Sequence, residues 1–277
     1  MKRLPFVSAL LGAALVLSAC SFSPGSAKTT STTPTVAAPA TSTTSVASST
    51  APSWSYTGDT GPAHWGDLDP AWSAAKDGKK QSPVDIVTAQ AQAGTGHPAS
   101  LSFAAVAFGV ENNGHTVEIV PESKEATITL DGATYVFQQA HFHAPSEHTV
   151  NGTSYPVEMH LVNQDAQGHI AVLGVFLTEG ATNTALDEVF AHMPAAVTTT
   201  ATEYKTSPID LTAVVPSGPV YRYEGSLTTP PCTEGVQWSV YATPIEASAA
   251  QIAAFTAIYS ANARPVQPLN DRTVQVV

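Results

Sequence analysis

The feature that most constrains this fold is a pair of strand-like runs, ATITLDGATYVFQQAHFH, that ends in two alternate histidines. Asp131 and Gly132 join the two runs, and this dipeptide suits the positive φ angles of a tight hairpin turn. Side chains at positions i and i+2 share one face of a strand, so Gln139, His141 and His143 lie on the same side. The sequence therefore predicts a hairpin that directs two imidazoles to one point, although H-x-H also occurs in ordinary strands.

A later β-rich run, SYPVEMHLVN, supplies a third histidine, and by the same alternation Glu158 and His160 share a face. A catalytic zinc site takes three protein ligands and leaves one position open, and His141, His143 and His160 have this chemistry. A ligating imidazole also needs a partner for its second nitrogen. Gln139 and Glu158 each precede a histidine by two residues, so they are predicted to be those partners.

The other patterns are mainly those of strands. The apolar run IAVLGVFL has the length of a strand and predicts a buried central one. Helices are predicted over residues 184–192, before Pro194, and over residues 249–259. The pattern alone therefore predicts a β-dominated α+β domain.

The N-terminal part of the chain has a different character. Two basic residues precede the apolar run LPFVSALLGAALVL, which is too short to span a bilayer and predicts a signal peptide over residues 1–19. The sequence LSAC resembles the lipobox of bacterial lipoproteins, and this resemblance implies that Cys20 carries lipid. Serine, threonine, alanine and proline dominate the rest of residues 20–53, which predicts a disordered linker before a domain over residues 54–277.

The charge of the chain excludes some partners. The formal net charge is −11, and removal of the signal peptide takes away two further cations. An acidic surface disfavours nucleic acids and anionic lipids as partners. The predicted signal peptide implies an exported protein of the bacterial cell envelope, either lipid-anchored or periplasmic or extracellular. Because its surface is acidic, we expect it to contact membrane only through its N-terminal lipid.

Eight segments follow one another in a familiar order and spacing: QSPVDI, NNGHTV, AHFHAPSEH, VEMHLV, AVLGVFL, GSLTTPPC, VQW and RPVQPLN. Together they resemble the α-carbonic anhydrases, specifically the bacterial secreted branch, over nearly all of residues 54–272. The resemblance implies a single domain with a twisted, mostly antiparallel central sheet of about ten strands and a few short surface helices. Cupins also have an H-x-H followed by glutamate, but the glycine expected before His141 and a second motif near His160 are missing.

The resemblance implies a zinc-dependent lyase that hydrates carbon dioxide reversibly to bicarbonate and a proton, by attack of zinc-bound hydroxide. The implied Zn²⁺ ligands are His141, His143 and His160. Thr228 is implied to accept a hydrogen bond from the hydroxide and to donate one to buried Glu147, which as a carboxylate only accepts. His115 matches the proton-shuttling histidine of the family, and an imidazole suits proton transfer to buffer at neutral pH.

The resemblance also assigns a substrate pocket. Its apolar wall comprises Val162, Val172, Leu227 and Trp238, and the polar side includes Thr229, with Asn113 and Tyr56. Ordinary packing in a hydrophobic core would explain the four apolar residues equally well.

We expect His148 to hold a loop by hydrogen bonds rather than to bind metal. The alternative function is a non-catalytic carbonic-anhydrase-like zinc-binding domain, although such domains typically lack one or more of the zinc histidines.

One departure from the family concerns cysteine. Many bacterial members carry a cysteine shortly before the Q-S-P motif that pairs with the one after TTPP. By spacing, Ala75 takes that place here, so the resemblance implies that Cys232 lacks its usual disulfide. A bridge that closes so long a loop contributes a few kcal/mol, so we predict lower stability than in relatives that have it.

Overall fold

The computed structural model describes residues 52–103, 105–198 and 204–277. The predicted signal peptide over residues 1–19, Cys20 and most of the predicted linker lie outside the described residues. Strands dominate the described part, as the sequence predicts. The strands are β1 (Asp85–Ile86), β2 (Gln92–Ala93), β3 (Ser100–Ser102), β4 (Phe108–Asn112), β5 (Val117–Pro121), β6 (Thr127–Leu130), β7 (Ala133–His143), β8 (Thr149–Val150), β9 (Val157–Gln164), β10 (Ile170–Glu179), β11 (Tyr204–Lys205), β12 (Val220–Ser226), β13 (Glu234–Tyr241), β14 (Ile245–Ala247) and β15 (Gln275–Val276).

The helices are short. The α-helices are α1 (Trp65–Leu68), α2 (Ala74–Asp77), α3 (Asp187–Ala191) and α4 (Ala249–Thr256), and the 3₁₀ turns are Gly58–Thr60, Pro70–Trp72, Thr88–Gln90 and Leu211–Val214. Within the described residues, none of the helices has the length and apolar character needed to cross a membrane.

A sheet of thirteen strands forms the centre of the described part. Its main path runs β11-β4-β5-β7-β9-β10-β13-β12-β15-β2, while β6 pairs with β3 and β7, and β14 pairs with β10. Most neighbours are antiparallel, which confirms the expected architecture, although the sheet has thirteen strands where about ten were expected. The sheet is nevertheless mixed, because β10 runs parallel to β13 and β14, and β15 runs parallel to β2.

The predicted hairpin is confirmed. Leu130 pairs with Ala133, so β6 and β7 are joined by the two residues Asp131 and Gly132 alone. Both have positive φ angles, 50° and 84°, which are the conformations that favour this dipeptide in a two-residue turn. The turn therefore fixes the register of β7, the strand that carries two of the candidate ligands.

The predicted central strand is also confirmed, because β10 lies between β9 and β13. Its side chains alternate between two hydrophobic clusters. Leu173 and Val175 pack in the larger cluster, while Val172 and Phe176 pack in a smaller one with Trp238. The smaller cluster lies on the face of the sheet that carries the histidines, since Val162 of the β9 face shared with His160 packs against it.

Both predicted helices are shorter than expected. Asn183 Oδ1 accepts a hydrogen bond from the backbone N–H of Leu186, so a side-chain turn replaces the first predicted turn of α3. Ser248 caps α4 together with Gln251, in a reciprocal capping box. Beyond Thr256 the N–H of residue 258 donates to Phe255 O three residues back, in the 3₁₀ pattern, and shares that oxygen with the N–H of residue 259.

Candidate metal centre

The three candidate ligands meet because of the register between β7 and β9. His141 lies directly opposite His160 in this antiparallel pair, and His143 follows two residues later on the same face. The three ring centroids are 4.7–5.2 Å apart. One nitrogen from each ring lies within 4.8 Å of the others, so the predicted set converges on one point.

Each imidazole has an acceptor on its second nitrogen. His141 Nδ1 lies 2.7 Å from Gln139 Oε1, and His160 Nε2 lies 2.9 Å from Glu158 Oε1, the two partners that the sequence predicts. His143 Nδ1 lies 2.7 Å from the backbone oxygen of Asn262. The sequence did not predict a role for Asn262. The only signal that could have indicated one is its position two residues before the RPVQPLN segment.

These bonds determine which nitrogens remain free. An amide, backbone or carboxylate oxygen accepts hydrogen bonds, so the bonded nitrogens carry the protons and the lone pairs stay on His141 Nε2, His143 Nε2 and His160 Nδ1. His143 Nε2 is buried and has no hydrogen-bond partner. Three imidazole nitrogens that can present lone pairs to one point are the donor set of a three-histidine zinc site, so the residues fit the predicted metal.

Burial keeps two of these rings uncharged. It lowers the pKa of His141 well below the usual range, and the neighbouring histidines act in the same direction. Burial also lowers the pKa of His143. For His160 burial acts in the same sense, but the charge of Glu158 and the hydrogen bond to it outweigh burial and raise the pKa.

A directed chain of hydrogen bonds lies behind His160. Glu158 Oε1 also accepts from His148 Nδ1 at 2.7 Å, which leaves His148 Nε2 to accept from the Tyr223 hydroxyl at 2.6 Å. The Tyr223 oxygen lies 2.9 Å from Ser82 Oγ. His148 thus makes the structural hydrogen bonds that we expected of it. Burial disfavours the ionised form of Glu158 and acts to raise its pKa. The charges of His148 and His160, and their hydrogen bonds to the carboxylate, outweigh burial and hold the pKa well below its usual range.

Gly174 of β10 makes room for this chain. It pairs with His160 across the β9–β10 ladder. A Cβ atom at Gly174 would lie 3.0 Å from Glu158 Oε1, closer than ordinary packing allows. Because glycine has no side chain, the Glu158 carboxylate can lie against β10 and reach both His148 and His160.

Glu147 lies beside the cluster and is 2 % exposed. Its Oε1 accepts the backbone N–H of Arg264 at 2.8 Å, and its Oε2 lies 4.0 Å from His160 Nδ1. Oε2 is buried without a hydrogen-bond partner, so the bond expected from Thr228 is not formed within the described residues. Thr228 is itself buried, at 5 % exposure, directly after β12.

The structure brings the four predicted pocket residues into one apolar cluster. Val172 pairs with Val162 on one side and with Trp238 on the other, so the three side chains stand in a row across neighbouring strands. Leu227 packs against the same cluster. The Trp238 ring centroid is 4.8 Å from that of His160, which places this apolar wall next to the candidate ligands.

His115 is half-buried in the turn between β4 and β5. Its ring stacks on Trp54, with centroids 3.6 Å apart and planes within 8°. Partial burial lowers the pKa of His115. A cleft of about 280 Å³ opens beside it, lined in part by Tyr56 and Tyr259. The backbone oxygen of His115 accepts from Asn262 Nδ2 at 3.0 Å, so Asn262 contacts both this residue and the ligand His143.

The loop between β12 and β13 contains a free cysteine. Cys232 is buried, and within the described residues it forms no disulfide. Its backbone N–H donates at 2.8 Å to the backbone oxygen of Thr229, a predicted pocket residue. Burial raises the pKa of the Cys232 thiol to about 11, so the thiol stays protonated and unreactive at neutral pH.

Comparisons with known proteins agree on one family. The sequence profile of the family described as eukaryotic-type carbonic anhydrase matches residues 60–277. The carbonic anhydrase of Pectobacterium carotovorum is 41 % identical over 223 residues, which cover 80 % of this chain and 89 % of that protein. The carbonic anhydrase of Klebsiella pneumoniae is 42 % identical over 225 residues, with the same coverage of both chains.

A solved structure supports the same assignment. The α-carbonic anhydrase of Thermovibrio ammonificans, determined with the inhibitor sulfanilamide, has a TM-score of 0.76 and 44 % sequence identity. The match covers 80 % of this chain and 98 % of that one.

Proposed function

Because this chain belongs to the eukaryotic-type carbonic anhydrases, a family that hydrates carbon dioxide reversibly, we propose that His141, His143 and His160 hold its catalytic zinc ion. The chain is a lyase that interconverts carbon dioxide with bicarbonate and a proton. The observation that carries the zinc proposal is the convergence of three imidazole nitrogens, of which buried His143 Nε2 has no other partner. Zinc bound there supplies a hydroxide near neutral pH, since it lowers the pKa of water to about 7, the value known for carbonic anhydrases.

We propose that Glu147 and Thr228 orient the nucleophile, through a hydrogen bond from the Thr228 hydroxyl to Glu147 Oε2, the oxygen that has no hydrogen-bond partner in the described residues. Glu147 Oε2 is a buried acceptor next to His160, and Oε1 is already held by a backbone N–H. A threonine hydroxyl that donates to this carboxylate has only its lone pairs left to face the reacting oxygen. The pair therefore keeps that oxygen aligned with a carbon dioxide molecule resting on the apolar wall of Val162, Val172, Leu227 and Trp238.

His115 carries the product proton away from the centre to buffer. Its partial burial against Trp54 lowers its pKa, which favours rapid release of a proton once it has been accepted. The adjacent cleft gives buffer molecules access to the ring.

Stopped-flow hydration of carbon dioxide by the purified chain tests the zinc proposal. We expect one zinc ion per chain, fast hydration, and loss of both in His160→Ala. His169→Ala is the matched control, because His169 is an exposed histidine that pairs only with Asp165, on the hairpin between β9 and β10. This control should retain zinc and full activity.

Two results would contradict the proposal. Hydration that survives complete removal of zinc would exclude the metal. One bound zinc without hydration would instead make the chain a non-catalytic zinc-binding domain.

We further propose that Cys20 is lipidated after removal of residues 1–19, and that the enzyme is anchored to the bacterial cell envelope. The lipobox-like LSAC sequence and the serine- and threonine-rich linker support this proposal. Metabolic labelling with a fatty acid should mark the wild-type chain and not Cys20→Ala, which should also leave the membrane fraction. Equal labelling of both chains would contradict lipidation at Cys20.

A further inference from the structure

Three residues of the C-terminal region, Asn262, Ala263 and Arg264, form a short segment that contacts the site at several points. The backbone oxygen of Asn262 accepts from the ligand His143, and its Nδ2 donates to the backbone oxygen of His115. The backbone N–H of Arg264 donates to Glu147. This 262–264 segment thus holds a metal ligand, the buried carboxylate and the proton-transfer histidine together.

The 262–264 segment has no regular secondary structure of its own to hold it in place. Asn262 fixes one end, because its Oδ1 accepts from the backbone N–H of Ala144 at 2.8 Å and its Nδ2 also donates to Phe142 O. Ala263 has only a methyl group. The other end therefore depends on the side chain of Arg264.

The guanidinium of Arg264 fixes that end in three places. Nη1 donates to Gln81 Oε1 at 2.9 Å and to Ser82 O at 2.7 Å, and Nη2 donates to Ala75 O at 3.1 Å. The guanidinium also lies over the Trp65 ring, 5.6 Å from its centroid. Arg264 is 2 % exposed and is the only lysine or arginine that is buried in the described parts of the chain.

Ser82 connects the same guanidinium to the second carboxylate of the site. The Ser82 hydroxyl bonds Tyr223, which bonds His148, and His148 bonds Glu158 behind the ligand His160. Arg264 therefore holds Glu147 through its own backbone and lies at the end of the hydrogen-bond chain that holds Glu158. The buried cation of Arg264 also interacts favourably with the buried carboxylate of Glu147.

We propose that Arg264 is a positioning residue for the reaction, which acts by fixing the 262–264 segment and through it Glu147 and His143. The proposal rests on the zinc function proposed above. Groups that orient metal ligands typically change metal affinity or activity about 10- to 100-fold when they are altered. Arginine is suited to the role, because its planar fork holds two donor nitrogens in fixed positions, whereas lysine offers a single nitrogen on a flexible stem.

The test compares Arg264→Gln and Arg264→Lys with the wild-type full-length chain. Two quantities are measured: kcat/KM of hydration per bound zinc, and the rate at which excess chelator removes zinc from folded protein. For Arg264→Gln we expect kcat/KM to fall, and zinc release to accelerate, each by about tenfold or more. Arg264→Lys should fall between this variant and wild type, because it restores the charge and one donor group.

Arg222→Gln is the matched control. Arg222 is also largely buried, at 12 % side-chain exposure, and donates through both terminal nitrogens, but its partner is Asp131 in the hairpin turn. This control should leave both measured quantities unchanged. A residue with a purely structural role would lower the urea midpoint without changing either quantity per zinc.

The outcomes separate this proposal from the proposed function. If Arg264→Gln keeps wild-type kcat/KM per zinc and wild-type zinc release, the positioning role is wrong. If that variant does not fold, Arg264→Lys decides by the same two measurements. If the wild-type chain binds zinc without hydrating carbon dioxide, the proposed function fails, and zinc release alone decides whether Arg264 positions His143.

Discussion

At the scale of single residues, the site depends on pairs of groups with fixed roles in hydrogen bonding. Gln139, Glu158 and the Asn262 backbone oxygen each accept a hydrogen bond from one ligand histidine. That acceptance settles the tautomer of each ring before any metal arrives. Glu147 is different, because one of its oxygens is bonded and the other is free.

This difference predicts the effect of Glu147→Gln. The glutamine oxygen can take the N–H of Arg264, which leaves an NH₂ group where Oε2 lies, and this group cannot accept from Thr228. We expect kcat/KM for carbon dioxide hydration to fall about 10- to 100-fold with zinc content unchanged. Stopped-flow assays and metal analysis measure both. Glu224→Gln, at an exposed ion pair with Lys80, is the control, and equal activities for the two variants would contradict the assigned role.

The stacking of Trp54 on His115 predicts a pKa change. Because burial lowers the pKa of His115, Trp54→Ala should raise it towards the ordinary value of about 6.5. NMR titration of the imidazole C–H resonances measures the shift. An unchanged pKa in Trp54→Ala would show that other contacts bury the ring.

The same shift has a consequence for stability. The folded-state pKa of His115 is depressed, so between that pKa and the unfolded value the unfolded chain binds more protons. The free energy of unfolding should therefore rise with pH across this interval and fall as the pH drops through it. In His115→Gln this contribution to the pH dependence should disappear from urea titrations.

At the scale of elements, local patterns in the sequence were informative and distant contacts were not. Parity along β7 and β9 was enough to place Gln139, His141, His143, Glu158 and His160, because each relation spans two residues. The contact between Asn262 and His143 spans 119 residues, and that between Arg264 and Glu147 spans 117. Such contacts form only when the sheet and the C-terminal region have folded, so no local period indicates them.

Helix α4 gives a prediction at this scale, since it precedes the 262–264 segment. The Ser248 hydroxyl accepts the N–H of Gln251, and Gln251 Oε1 accepts the N–H of Ser248. Ser248→Ala should lower the free energy of unfolding by about 1 kcal/mol, measured in urea, with kcat/KM unchanged. Ser260→Ala, at an exposed position beyond the helix, is the control, and an equal loss in both would exclude capping as the cause.

At the scale of the whole molecule, the described domain is held together without a disulfide. The position of the missing cysteine, Ala75, is joined to the Cys232 region by hydrogen bonds. Arg264 donates to Ala75 O and to Gln81 Oε1, and Gln81 Nε2 donates to Cys232 O at 3.1 Å. Hydrogen bonds through two side chains thus connect the regions that a covalent bridge joins in many bacterial relatives.

This connection predicts that Ala75→Cys forms a disulfide with Cys232. Closing so long a loop should raise the free energy of unfolding by about 2–5 kcal/mol. The Tm of the oxidised variant should exceed that of its reduced form, while Ala75→Ser should show no effect of reductant. Two free thiols in the folded, oxidised variant would contradict the predicted proximity.

The pairing of His141 with His160 across β7 and β9 has a consequence for quality control during folding. A slip of β7 by one residue would turn His141 and His143 to the opposite face, away from His160. Such a chain has the same composition and nearly the same number of backbone hydrogen bonds, yet it lacks a three-nitrogen site. With zinc at the proposed site, metal uptake should distinguish correctly registered chains from misregistered ones, and the zinc retained after refolding should count the molecules that have reached the native state.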